Sequence, residues 1–114
     1  MSSTRAKPDF IIIGVQKGGT TSLFKYLSQH PQVAVSSHKE LHYFDVNYRE
    51  GMAWYQQHFP LEAERSNRLV GEASPYYIFH PLAAPRIKRD LPNVRLIALL
   101  RDPIARAYSN FQMV

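Results

Sequence analysis

Apolar residues fall along this chain in two patterns, and their alternation predicts the architecture. Residues 10–13 and 94–100 are near-continuous apolar runs, as expected of strands buried on both faces of a parallel sheet. Between and after them the period lengthens. Residues 20–29 place Leu23, Phe24 and Leu27 on one side of a helix that ends at His30-Pro31. Residues 32–36 form a brief strand that completes a first β-α-β unit, and residues 39–45 a loop entering an irregular helix. A short helix over 51–59 carries Met52, Trp54, Tyr55 and Phe59 and stops at Pro60, and the charged stretch 61–68 is a surface connection. A strand over 69–72 ends before Ser74-Pro75, and 76–80 crosses the surface. A helix over 85–91 turns Ile87 and Leu91 inward with Pro85 in its first turn, and 92–93 is a turn into the last strand. Beyond Arg101, Asp102 caps a final helix with Pro103 at its first position and Ile104, Ala107, Tyr108 and Phe111 on one face. Helices alternating with short apolar strands predict an α/β fold with a mainly parallel sheet, ligands gathering at the carboxyl ends of the strands.

The junction of the first strand and helix carries the clearest chemistry. Gly14, Gly18 and Gly19 let the backbone curl so that its N–H groups converge on an anion, and the following helix N-terminus points at the same place. The loop is therefore P-loop-like and the fold three-layered. The lysine is misplaced for a kinase or ATPase, however: Lys17 precedes Gly18-Gly19-Thr20, and no Lys-[Ser/Thr] pair exists there to hold Mg²⁺. A P-loop kinase is the weaker alternative. Arg101, at the carboxyl end of the last strand, is a second anion-binding candidate, although Arg-Asp-Pro alone is a common helix start.

Composition narrows the picture little further. Fourteen Lys and Arg against nine Asp and Glu give a net charge of +5, which favours anionic ligands. The basic residues are scattered and lack aromatic interleaving, so nucleic acid is not indicated. With no cysteine, thiolate metal sites and disulfides are excluded, and His30, His38, His58 and His80 lack metal-ligand spacing. Residues 1–8 are polar without the apolar core of a signal peptide, and no run approaches the roughly 20 apolar residues of a membrane span. Residues 1–8 thus read as a tail and 9–114 as the N-terminal part of a domain, because Val114 falls inside the last predicted helix.

Four stretches taken in order resemble the sulfotransferases that use 3'-phosphoadenosine 5'-phosphosulfate, especially the heparan sulfate glucosaminyl branch and its bacterial relatives. They are Gly14-Val-Gln-Lys-Gly-Gly-Thr-Thr-Ser22, Lys39-Glu-Leu-His-Tyr-Phe-Asp45, Gly71-Glu-Ala-Ser-Pro-Tyr76 and Leu100-Arg-Asp-Pro-Ile-Ala-Arg-Ala-Tyr-Ser109. The resemblance implies a 5'-phosphosulfate cradle of Lys17, Gly18, Gly19, Thr20, Thr21 and Ser22, and a 3'-phosphate clamp of Arg101 and Ser109. It implies that Lys17 stabilises the leaving oxygen, that Glu40 is the general base with His42 as competitor, and that no metal takes part. Ala73 stands where some glycosaminoglycan enzymes carry an acceptor-holding lysine, which suggests a less acidic acceptor: a carbohydrate, lipid or small-molecule hydroxyl. The absence of an anchor in this chain suggests a cytoplasmic bacterial enzyme, and a nucleotide-binding fragment without turnover is the non-enzymatic alternative. Glu72 reads as the partner of a nearby basic residue, Arg106 as a surface ion pair, and Trp54, Tyr55, Tyr76 and Tyr77 as packing aromatics.

Overall fold

A computed structural model describes residues 4–14 and 20–98. Within them four strands, β1 (Phe10–Gly14), β2 (Val33–Val35), β3 (Leu69–Ala73) and β4 (Arg95–Ala98), form one parallel sheet in the order β2-β3-β1-β4. The helices are α1 (Thr20–Ser28), α2 (Met52–Gln56), α3 (Glu62–Arg65) and α4 (Ala83–Asp90), with 3-10 turns at Tyr48–Glu50 and Pro75–Phe79. None of these helices is long and apolar enough to cross a membrane.

Alternation along β1 divides the core. Successive strand side chains point to opposite faces, so Phe10 and Ile12 join Ala73 beneath Leu23, Phe24 and Leu27 of α1. Ile11 faces the other way with Val70, into a layer built from Tyr43, Phe44, Tyr55, Phe59 and Tyr77, closed by Ile87 and Leu91 of the α4 region. The rings there pack closely: Tyr43 stacks on Tyr55 at 4.5 Å, and Phe44 meets Tyr55 and Tyr77 edge-on at 5.2 and 5.7 Å. Both sheet faces are thus covered, as the apolar pattern of β1 requires.

Several elements differ from the sequence expectation. The first β-α-β unit is not made of neighbours, because β3 inserts between β1 and β2. The charged stretch 61–68 contains the short helix α3, and the stretch expected to cross the surface folds instead into the 3-10 turn Pro75–Phe79, whose Pro75 and Tyr77 are buried. β4 is the edge strand of the described sheet rather than an interior one, with Leu96 47% exposed. Strand interiors and edges share the same β-branched composition, so only pairing separates them. The predicted helix after Pro103 lies outside the described residues.

Candidate active site

The carboxyl ends of β1 and β3 are tied together. Ser74, just past β3, donates its N–H to the Ile12 carbonyl at 3.0 Å. Gly14 ends β1 against Ile78: a Cβ at residue 14 would lie 2.7 Å from the isoleucine Cγ2. The end of the strand therefore lies against the 3-10 turn Pro75–Phe79 because residue 14 has no side chain.

Residues 39–45 lie across the same end of the sheet. The Glu40 N–H donates to the Ala73 carbonyl at 2.7 Å, and the His42 N–H donates to Ser74 Oγ at 3.2 Å. Tyr77 Oη accepts the N–H groups of Tyr43 and Phe44 at 2.9 and 3.2 Å. From the other side, Arg86 of α4 donates to the carbonyls of Phe44 and Asp45, each at 3.0 Å. Held at so many points, the segment keeps Glu40 and His42 at φ of 62° and 52°, a left-handed conformation that costs a non-glycine residue about 1–3 kcal/mol.

That backbone gathers four ionisable side chains. His42 Nδ1 lies 2.9 Å from Asp45 Oδ2, its Nε2 3.3 Å from Glu40 Oε1, and Lys39 Nζ 2.8 Å from Glu40 Oε2. Hydrogen bonding to Lys39 is the main influence holding the Glu40 carboxyl below its usual range, with His42 adding to it. Burial opposes a charged His42, but hydrogen bonds and charges from Asp45 and Glu40 together outweigh it and raise its pKa. The Asp45 carboxylate is fully buried and orients the ring; at neutral pH Glu40 is ionised and able to receive a proton.

Glu72 is fully buried, and its partners are not basic. Its Oε1 accepts from the Ser74 hydroxyl at 2.7 Å, and its Oε2 from Tyr55 and Tyr77 at 2.5 and 3.1 Å. The expected pairing with a basic residue is thus replaced by three hydroxyls. Burial raises the Glu72 pKa against these hydrogen bonds, and burial beside Glu72 raises those of Tyr55 and Tyr77 well above normal, so both remain protonated donors.

The structure brings Glu40 and His42 together, and Thr20, Thr21 and Ser22 open the first turn of α1. That turn carries no acidic residue, which suits an anion at the helix N-terminus. Lys17, Gly18, Gly19, Arg101, Arg106 and Ser109 lie outside the described residues. Sequence reasoning missed Asp45 and the Glu72 hydroxyl cluster. Each had a local signal: Asp45 stands three residues after His42, and Ser74 two residues after Glu72, on the same side of an extended chain.

The parallel sheet flanked by helices, with the strand ends of β1 and β3 tied to residues 39–45, defines an α/β domain. The chain belongs to the sulfotransferase family, whose sulfotransferase domain model matches residues 7–114. It is similar to the membrane-associated sulfotransferase kil1 of Dictyostelium discoideum, 48% identical over 105 residues covering 91% of this chain and 22% of that protein. Heparan sulfate glucosamine 3-O-sulfotransferase 3A1 of Mus musculus is 40% identical, over 91% of this chain and 26% of its own. A solved sulfotransferase from Alicyclobacillus acidocaldarius superposes with a TM-score of 0.74 at 35% identity, covering 91% of this chain and 48% of that one. The chain thus spans about a quarter of the length of these two curated relatives.

Proposed function

We propose that the protein transfers a sulfuryl group from 3'-phosphoadenosine 5'-phosphosulfate to a hydroxyl, or an amine, of a carbohydrate, lipid or small-molecule acceptor. The observation that carries this reading is the ionised Glu40 beside His42, held in strained backbone at the strand ends where the glycine loop departs. The donor supplies an activated sulfur whose bridging oxygen leaves with the nucleotide. Glu40 takes the acceptor's proton as its oxygen bonds to sulfur, and Lys17 stabilises the charge that develops on the departing oxygen. His42, anchored by Asp45, steadies the Glu40 carboxylate and is the second candidate for the proton. The first turn of α1, free of acidic side chains, fits the 5'-phosphosulfate, and Arg101 with Ser109 would take the 3'-phosphate. Lys17 precedes two glycines rather than a hydroxyl residue, which favours a reaction without Mg²⁺.

Ala73 is buried against Phe10 and Ile12, so that position offers an acidic sugar chain no cation. This supports an acceptor less acidic than heparan sulfate, the acceptor in the name of one relative. Calorimetry with 3'-phosphoadenosine 5'-phosphate in metal-free buffer tests the donor half, with ATP plus Mg²⁺ as comparison. Binding that Lys17→Ala or Arg101→Ala weakens is expected, and preference for ATP with Mg²⁺ would overturn the assignment. Radiolabelled donor offered with neutral and acidic oligosaccharides, sterols and phenols then sorts the acceptor class.

A further inference from the structure

The proposed mechanism leaves unused a buried acid, Glu72, that hydrogen-bonds to hydroxyls rather than to the candidate base. Glu72 is enclosed at the end of β3, and each of its oxygens meets a hydroxyl that makes a second hydrogen bond outward. Ser74 accepts the N–H of His42, and Tyr77 accepts the N–H groups of Tyr43 and Phe44. The direction of these bonds matters. A hydroxyl has one proton; spent inward on the carboxylate, it leaves only lone pairs facing the loop, which is what three backbone donors need.

We propose that Glu72 is a positioning residue for the candidate catalytic cluster, setting the hydroxyls of Ser74 and Tyr77 so that they hold residues 42–44 and thereby the His42 side chain. The inference rests on the sulfotransferase reading only for what the cluster does; the positioning itself stands on geometry. An amide at residue 72 breaks the device whichever way it turns. Its NH₂ must face either Ser74 or the Tyr55 and Tyr77 pair, and a hydroxyl that faces it loses the acceptor that held its proton inward, so its lone pairs are no longer fixed toward the loop N–H groups. Tyr55 is the internal control, because its hydroxyl meets Glu72 and reaches no loop N–H among the described residues.

The test is histidine ring NMR on the full chain, labelled at the imidazole carbons, with the five histidines resolved and His42 assigned by His42→Asn. Among the described residues the groups facing His42 are Glu40 and Asp45 of its own loop and the Tyr76 ring, 6.4 Å away. In the parent His42 should titrate above the ordinary histidine value of about 6.5. Glu72→Gln, Ser74→Ala and Tyr77→Phe should each bring it back toward that value, while Tyr55→Phe leaves it unmoved. The ring signals of His38 and His58, which pack together at 6.0 Å, should keep their chemical shifts at fixed pH throughout and report an intact fold. Should Glu72→Gln not fold, the Ser74→Ala and Tyr77→Phe arms decide alone. Folded variants whose His42 titrates as in the parent would overturn the proposal. No nucleotide or acceptor enters this measurement, so failure of the sulfotransferase reading would show separately, as absent nucleotide binding.

Discussion

Glu40 combines two properties that seldom coincide in a surface loop residue: an ionised carboxylate and a left-handed backbone. Glycine adopts that conformation without the Cβ penalty of about 1–2 kcal/mol, so Glu40→Gly and Glu40→Ala separate backbone from side chain. Both abolish proton transfer if Glu40 is the base, but the glycine variant should be more stable by about 1 kcal/mol in urea denaturation. Equal stability would mean that the φ of 62° stores no strain.

The pH dependence of turnover distinguishes the two bases. Glu40 has a lowered pKa and His42 a raised one. A Glu40 base leaves kcat/KM flat through neutrality, falling only below the usual carboxylate range. A His42 base puts the acid limb above about 6.5, and the flat profile is expected. Stability carries the complementary sign. Because the folded pKa of His42 exceeds its unfolded value, its pairing with Asp45 stabilises fully below about pH 6.5 and is lost as pH rises through the folded pKa. The Tm difference between the parent and Asp45→Asn should therefore be largest near pH 6 and shrink toward pH 8. A difference that grows with pH would contradict the raised value.

At the scale of elements, β1 and α1 were legible because their side chains obey simple periods: Ile11 against Phe10 and Ile12, and Leu23, Phe24 and Leu27 on one helix face. The strand order was not. Nothing in Gln32 or Val33 says that β3 will pass between them and β1, since parallel pairing is decided by contacts remote in sequence. Gly71 illustrates a constraint visible only in three dimensions. It pairs with Phe10 across the β1–β3 ladder, and a Cβ there would lie 2.1 Å from the phenyl Cζ. Gly71→Ala should cost about 1–3 kcal/mol through overpacking, seen as a lower urea midpoint at unchanged m-value. Shortening the ring with Phe10→Leu in the same chain should return part of that loss. Additive losses would place the clash elsewhere.

Across the whole molecule, the sheet separates two jobs. On one side α1 packs on Phe10, Ile12 and Ala73; on the other the aromatic layer and Arg86 support residues 39–45. The first half was announced in sequence because the apolar spacing of β1 and α1 is local. The second half stayed hidden because Glu72, Tyr55 and Tyr77 meet only once the chain has folded. Such a division predicts independence. Leu27→Ala thins the α1 layer without touching the cluster, and Tyr55→Phe removes one hydroxyl from Glu72 without touching α1. With no shared partner, their stability losses should add to within about 0.5 kcal/mol. On the proposed function, the affinity for 3'-phosphoadenosine 5'-phosphate should fall in Leu27→Ala, which loosens the helix proposed to hold the 5'-phosphosulfate, and hold in Tyr55→Phe. A double variant whose stability departs from the sum by 1 kcal/mol or more, or a Tyr55→Phe variant that loses nucleotide affinity, would mean that the two faces are coupled through β3 and that the donor and acceptor sides are shaped together.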